Sequence, residues 1–351
     1  MDISLIDKNF KVDAEIDKRG LKLYSPDEPP FRIYGVRREG DRYRRLPEAV
    51  AGRVSEGVLA LHANTAGGRV RFVTDSRRFA VIARLDKISN MSHMPLCGSA
   101  GFDLYCDGVY KGTFRPPQPI PSGAYEASVT INATERRDRV ITLNMPLYSD
   151  VLEFYIGIEE GATLSMAPDY TYESPVVYYG SSITQGGCAS RAGNSYQGFI
   201  SREHGCNFLN LGFSGNAKGE VEMADYIASL KMSAFVMDYD HNAPNAEFLR
   251  ATHYPFYKRI REKQPDTPII LVTAPSVDSL DKPERAEVIR ETYESALAEG
   301  DKHISFILGR EMFPCCNNDF TVDNCHPTDL GFFMMARAIG PEVKRALDGK
   351  L

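Results

Sequence analysis

The chain has 351 residues, more than one hydrophobic core ordinarily serves, so two domains are expected. Hydrophobic residues make up 43% and charged residues 25%, as in soluble globular proteins, and a net charge of −6 argues against a nucleic-acid backbone as the main partner. No apolar run approaches membrane-spanning length, and the start Met1-Asp2-Ile3-Ser4-Leu5-Ile6-Asp7 is too broken by acids for a secretory leader. A cytoplasmic protein with seven reduced cysteines is therefore expected, with no nucleic-acid or membrane partner. Composition does not fix the oligomeric state.

Residues 1–165 read as β-rich. The arginines Arg37, Arg38, Arg42, Arg44 and Arg45 read as a solvated or ion-paired face. Gly67-Gly68 lies between Val58–Leu61 and Val70–Val73 like a hairpin turn. Phe79, Val81, Ala83 and Leu85 occupy alternate positions, as on one face of a strand. Asp107-Gly108 separates Leu104-Tyr105 from Val109-Tyr110, a hairpin signal. Val140–Leu143 and Leu152–Ile156 add strands. Short strands with turn signals between them predict a β-sandwich or jelly roll.

The boundary falls near Gly161–Pro175, placing a second domain at 175–351. Strand-like runs at 176–179, 208–211, 234–238, 269–273 and 304–308 then alternate with helical patterns. Asn194-Ser195 supplies N-caps for one helix, and Asp281-Lys282-Pro283-Glu284 announces another. Ala286, Ile289, Tyr293 and Leu297 are its expected apolar face. The last helix is expected over 329–347. Five βα units predict a flavodoxin-like, doubly wound parallel sheet.

Four stretches of this half carry chemistry-bearing residues after strands. Gly180-Ser181-Ser182-Ile183-Thr184-Gln185-Gly186 follows the apolar run Val176–Tyr179, and its glycines let the backbone bend around Ser182. Strand, serine turn and helix is the geometry of an exposed nucleophile. Asn210-Leu211-Gly212-Phe213-Ser214-Gly215-Asn216, Asp238-Tyr239-Asp240-His241-Asn242 and Asp323-Asn324-Cys325-His326-Pro327-Thr328 follow later strands. In order and spacing the four resemble the blocks of the SGNH, or GDSL-type, hydrolases. Ser181 stands where that family usually has Asp. Gly101-Phe102-Asp103-Leu104-Tyr105 resembles the Gly-x-Asp-Leu-Tyr motif of an accessory domain preceding some SGNH catalytic domains.

The resemblance implies a serine esterase. Ser182 would attack an acyl carbon, and His326, whose imidazole titrates near neutral pH, would take its proton. Asp323, three residues earlier, can hold the imidazole in one tautomer. The oxyanion donors implied are the backbone N–H of Ser182, the backbone N–H of Gly215 and the side chain of Asn242, with Gly212 an alternative glycine. His241 is a possible substrate contact. His62, His93, His204, His253 and His303 match no block and read as structural or surface residues. Cys315-Cys316 with Cys325-His326 makes a poor metal pattern, because adjacent cysteines chelate one ion badly. No metal or cofactor is expected, and Cys188 reads as a small buried residue. The two-domain resemblance implies the carbohydrate-esterase branch, with acetylated oligosaccharide or another small ester as substrate. Acyl transfer, a non-carbohydrate short-chain ester, or a glycan-binding module with an inert α/β half are the alternatives. No long apolar lid suggests a lipase.

Overall fold

The computed structural model describes residues 5–7, 10–13, 15–120, 123–275, 283–314 and 319–351. Asp281, Lys282, Cys315 and Cys316 lie outside the described residues.

The first half is two antiparallel sheets closed over one core. The strands are β1 (Leu21–Tyr24), β2 (Arg32–Tyr34), β3 (Arg37–Glu39), β4 (Arg42–Arg44), β5 (Arg69–Thr74), β6 (Arg78–Asp86), β7 (Phe102–Cys106), β8 (Val109–Phe114), β9 (Ala124–Thr130), β10 (Arg139–Asn144) and β11 (Asp150–Glu159). One sheet runs β1-β11-β6-β9, the other β2-β5-β10-β7-β8, and β3 pairs with β4. Phe79, Val81, Ala83 and Leu85 of β6 point inward, where they meet Val70 and Phe72 of β5, Leu104 of β7 and Ile141 and Leu143 of β10. The β7–β8 turn has Asp107 and Gly108 both left-handed, with φ of +49° and +77°, the two-residue geometry that follows the strands' twist.

Helices α1 (Glu48–Val54), α2 (Glu56–Leu61) and α3 (Leu96–Ser99) interrupt the sandwich. The expected strand at Val58–Leu61 is therefore helix α2. Ser55 caps it by accepting from the Val58 N–H, and Val58 packs into an apolar cluster with Leu46, Ala51, Met223 and Ala224 rather than into the sandwich. A helix satisfies its own backbone and so can lie on another helix layer, which an edge strand cannot.

The second half is a parallel five-stranded sheet in the order β13-β12-β14-β15-β16. Its elements in sequence are β12 (Tyr172–Gly180), α4 (Ser182–Gln185), α5 (Tyr196–His204), β13 (Cys206–Gly212), α6 (Val221–Ser229), β14 (Ala234–Asp238), α7 (Ala246–Lys263), β15 (Ile269–Val272), α8 (Pro283–Ala298), β16 (Ile304–Ile307) and α9 (Asp329–Leu347). This is the flavodoxin-like order, with helices α6, α7 and α8 over one face and α5 and α9 over the other. The inner stretches of the strands are mostly apolar because both faces are covered; Val176–Tyr179 are fully buried. On α8 the buried face is Arg285, Val288, Ile289, Thr292 and Ala296, rotated from the expected one, so that Leu297 is 45% exposed. The burial of Arg285 explains the rotation: its guanidinium donates to the Asp240 and Pro244 carbonyls. No helix among the described residues is long and apolar enough to cross a membrane.

Strand β13 is an edge, and its outer carbonyls would be orphaned where the sandwich covers it. Two arginines of the first half satisfy them. Arg69 Nη2 donates to Phe208 O (3.2 Å), while Arg45 Nη1 donates to Asn210 O (3.3 Å) and Gly212 O. Arg45 also donates to Leu61 O, lies over the Phe213 ring and is 3% exposed. Arg45 is thus not part of a solvated face; burial lowers its pKa to about 9. Arg42 and Arg44 do follow the ion-paired reading, through Asp41, Asp150 and Glu48. Arg45→Ala strands several buried carbonyls and should cost about 2–4 kcal/mol; an unchanged midpoint in thermal or urea unfolding would contradict this role.

Candidate active site

The switch in strand order places the carboxyl ends of β12 and β14 side by side. At the end of β12, a Cβ on Gly180 would collide with Thr184 Oγ1 and the Asp238 carbonyl, so this glycine serves close packing. Ser181 is extended and its Oγ accepts from Ile183 N–H at 3.1 Å, capping the single-turn helix α4. The hydroxyl thus does the work that a carboxylate at this position could do. Gly186, at φ +103°, closes the turn. Ser182 is the first residue of α4, where backbone N–H groups have no acceptor within the helix.

Ser182 Oγ is 2.9 Å from His326 Nε2. His326 Nδ1 is 2.8 Å from Asp323 Oδ2. The other oxygen of Asp323 accepts from the N–H groups of Cys325 (3.1 Å) and His326 (2.7 Å), so one carboxylate both shapes the turn and orients the ring. Asn324 makes the turn possible with φ +62°, a conformation Asn tolerates better than most residues. Burial works to raise the Asp323 pKa, but hydrogen bonds from His326 bring it below the usual carboxylate value. The chain Ser–His–Asp can pass a proton from the hydroxyl to an imidazole held in one tautomer.

Cys325 was without a site role in the sequence. Its Sγ is 3.0 Å from His241 Nε2, beside the His326 ring. The hydrogen bond from His241, with the His326 ring close by, lowers the thiol pKa to about 6, and the neighbouring sulfur, with Asp323, raises His326 to about 9. His241 therefore reaches the candidate triad through Cys325. His93 also comes to the site: its ring centroid is 5.5 Å from that of His326 and its Nε2 4.0 Å from Asp323 Oδ2. It arrives on the loop before α3, in a half whose sequence blocks gave no link to the triad. His62 and His253 are buried among Leu59, Arg44 and Thr292. Cys188 is buried, which pushes its thiol up to about 12.

In the second block, Gly215 has φ +68° and open space where a Cβ would be. Gly212 has none, because it packs on the backbone of Thr184 and Gln185, and its N–H donates to Asn210 Oδ1. Asn242 donates one amide hydrogen to Phe213 O at 3.0 Å, which fixes the side chain and leaves a second hydrogen to give. Its turn is anchored by Asp240, whose carboxylate accepts from Ala274 N–H at 2.9 Å. Gln185 ties the blocks together. Its amide donates to Asn64 Oδ1 (3.0 Å) and Leu147 O (3.2 Å), and its oxygen accepts from Ser214 N–H (3.1 Å). Only its place in the first block hinted at that role.

Among the described residues, two donor groups could hold a metal ion by proximity: His93, Cys188 and His326, and Asp323, Cys325 and His326, each with ligand atoms within 4.8 Å. Both would take His326, whose two nitrogens already face Ser182 and Asp323.

Residues 173–344 match the GDSL-like lipase/acylhydrolase family, and residues 21–164 match the N-terminus of esterases of the SGNH-hydrolase type. The chain belongs to the SGNH hydrolases. Among curated proteins none matches the sequence. Among solved structures it is similar to a protein of Bacteroides ovatus ATCC 8483 described as a GDSL-like lipase, at 28% identity and a TM-score of 0.81, covering 93% of this chain and 98% of that one. It is also similar to the salicylyl-acyltransferase SsfX3 of a tetracycline biosynthetic pathway, with 21% identity, a TM-score of 0.76 and coverage of 93% and 97%. An acetyl xylan esterase, Est2A, of Butyrivibrio proteoclasticus shares the fold at 12% identity and a TM-score of 0.62, with coverage of 93% and 100%.

A neutral His326 is the form able to take a proton, so activity should rise as pH passes upward through its pKa. With Cys325 present that rise belongs near pH 9, above the range of a free imidazole. Cys325→Ala removes the sulfur and should move the acid limb of the kcat/KM profile toward neutral pH. A limb that stays in place would sever Cys325 from the titration of His326.

Proposed function

We propose that the protein is a serine esterase that removes O-acetyl groups from carbohydrate, on acetylated oligosaccharides in the cytoplasm. The continuous hydrogen-bonded chain from Ser182 through His326 to Asp323 carries this reading. Ser182 Oγ attacks the acyl carbon as its proton moves to His326 Nε2. The carbonyl oxygen becomes an oxyanion, held by the N–H groups of Ser182 and Gly215 and the amide of Asn242. The tetrahedral intermediate collapses when the sugar alkoxide leaves with the proton from His326. Water, deprotonated by the same imidazole, then attacks the acyl-enzyme and acetate departs. The carbohydrate branch is supported by the similarity in fold to Est2A and to a family two carbohydrate esterase of Clostridium thermocellum solved with cellohexaose. The likeness to SsfX3 gives acyl transfer as the second reading: the same acyl-enzyme, with a hydroxyl in place of water.

Acetate release from acetylated xylo- and manno-oligosaccharides tests this. Wild type should release acetate and Ser182→Ala should not. Wild-type silence across the panel, with Ser182 still labelled by a reactive-serine probe, would replace the sugar substrate with another ester or with transfer. Asn242→Ala should lower kcat by about 10²–10³, or roughly 3–4 kcal/mol of barrier, with KM little changed. Unchanged kcat would remove Asn242 from the oxyanion site.

A further inference from the structure

A cavity of about 410 Å³ lies between the sandwich and the α/β half, and none of Ser182, Gly215, Asn242, Asp323 or His326 lines it. Its floor is one row of the β2-β5-β10-β7-β8 sheet. Register pairs Arg71 with Thr142 and Thr142 with Tyr105, so the three side chains stand side by side on one face. Directly paired residues have their Cβ atoms about 5 Å apart. That face is outward, because the alternate residues Val70, Phe72, Ile141, Leu143 and Leu104 fill the sandwich core. The opposite wall includes Arg202 of α5 and Tyr170 of the connecting segment.

The cavity's charge is unbalanced. Arg71 lies over the Tyr170 ring at 4.2 Å, and its Nη1 is buried with no hydrogen-bond partner among the described residues. Arg202 lies over Tyr105 at 4.4 Å and gives Nη1 to the Gly193 carbonyl at 2.7 Å. Arg69 adds charge but commits its nitrogens to Tyr170, Gly67, Asn207 and Phe208. The two carboxylates of the lining are engaged elsewhere, Asp107 with Arg137 at 2.8 Å and Asp169 with Arg32. A buried guanidinium N–H without an acceptor costs free energy that an incoming oxyanion recovers, and its paired donors suit a carboxylate or phosphate.

We propose that this cavity binds a small organic anion, its carboxylate or phosphate group taken by Arg71 and Arg202 with the Thr142 hydroxyl alongside. Calorimetric titration at low ionic strength would use sodium glucuronate, inorganic phosphate and, as the neutral control, glucose. Glucuronate, phosphate or both should bind saturably, with a Kd of about millimolar or below, and glucose should not. Binding by glucuronate alone identifies a carboxylate site; binding by phosphate alone identifies a phosphate site. Arg71→Gln should weaken binding by about tenfold or more with its melting temperature in buffer unchanged, and Thr142→Val should weaken it less. No saturable binding by either anion, equal affinity in Arg71→Gln, or glucose binding as well as glucuronate would overturn the proposal. The readout needs no ester hydrolysis, so it stands or falls separately from the esterase reading.

Discussion

The edge of the parallel sheet is the constraint on which the molecule depends. Strand β13 carries the second block at its carboxyl end, and its outer carbonyls face the sandwich instead of water. Such groups need donors, and in a dry seam the cost of leaving them unpaired is greatest. Arg45 and Arg69 supply several donors from rigid planar forks; Arg69 also lies on the ring of Phe208 within the strand, and Arg45 on the ring of Phe213 just past its end. The sandwich is therefore a structural partner of the strand that leads to Gly215.

The same logic repeats nearer the serine. Tyr148 gives its hydroxyl to the Ser182 carbonyl at 3.2 Å, and Asn64 and Leu147 hold Gln185. Asp103, of the Gly-x-Asp-Leu-Tyr segment, is fully buried; it accepts from Asn144 (2.7 Å), from Gly193 N–H (2.8 Å) and from Arg191 (3.2 Å). Burial raises its pKa, while these donors favour the charged form. The loop from Gly187 to Ser195 thus rests on the first half of the chain, although every residue of the Ser182–His326–Asp323 chain belongs to the second.

The parallel sheet and most sandwich strands were legible because strong periodicities announce them. Val176–Tyr179 reads as a doubly buried strand, and Asp107-Gly108 as a hairpin, from local chemistry alone. Ser182, His326, Asp323, Gly215 and Asn242 were nominated by their places in four ordered blocks, and of these Ser182, His326 and Asp323 are joined by hydrogen bonds in the structure. What stayed hidden depends on contacts remote in sequence. Val58–Leu61 is too short for its period to separate strand from helix, and the deciding contact, Met223, is far along the chain. Arg45 looks like one of several surface arginines until β13 is laid beside it. Cys325 and His93 acquire meaning only when the turn at Asn324 and the loop before α3 converge on His326.

Helices α1 and α2 carry a consequence for synthesis. Leu46, Ala51 and Val58 come early in the chain, yet they complete a core whose other members begin at Val177. As the chain leaves the ribosome, the sandwich strands can pair before the parallel sheet exists. The apolar side of these two helices then waits, uncovered, for Met223, Ala224 and Ile227 of α6 to arrive. The nascent first half is thus an adhesive intermediate, and its time at risk is set by the rate of translation through the second.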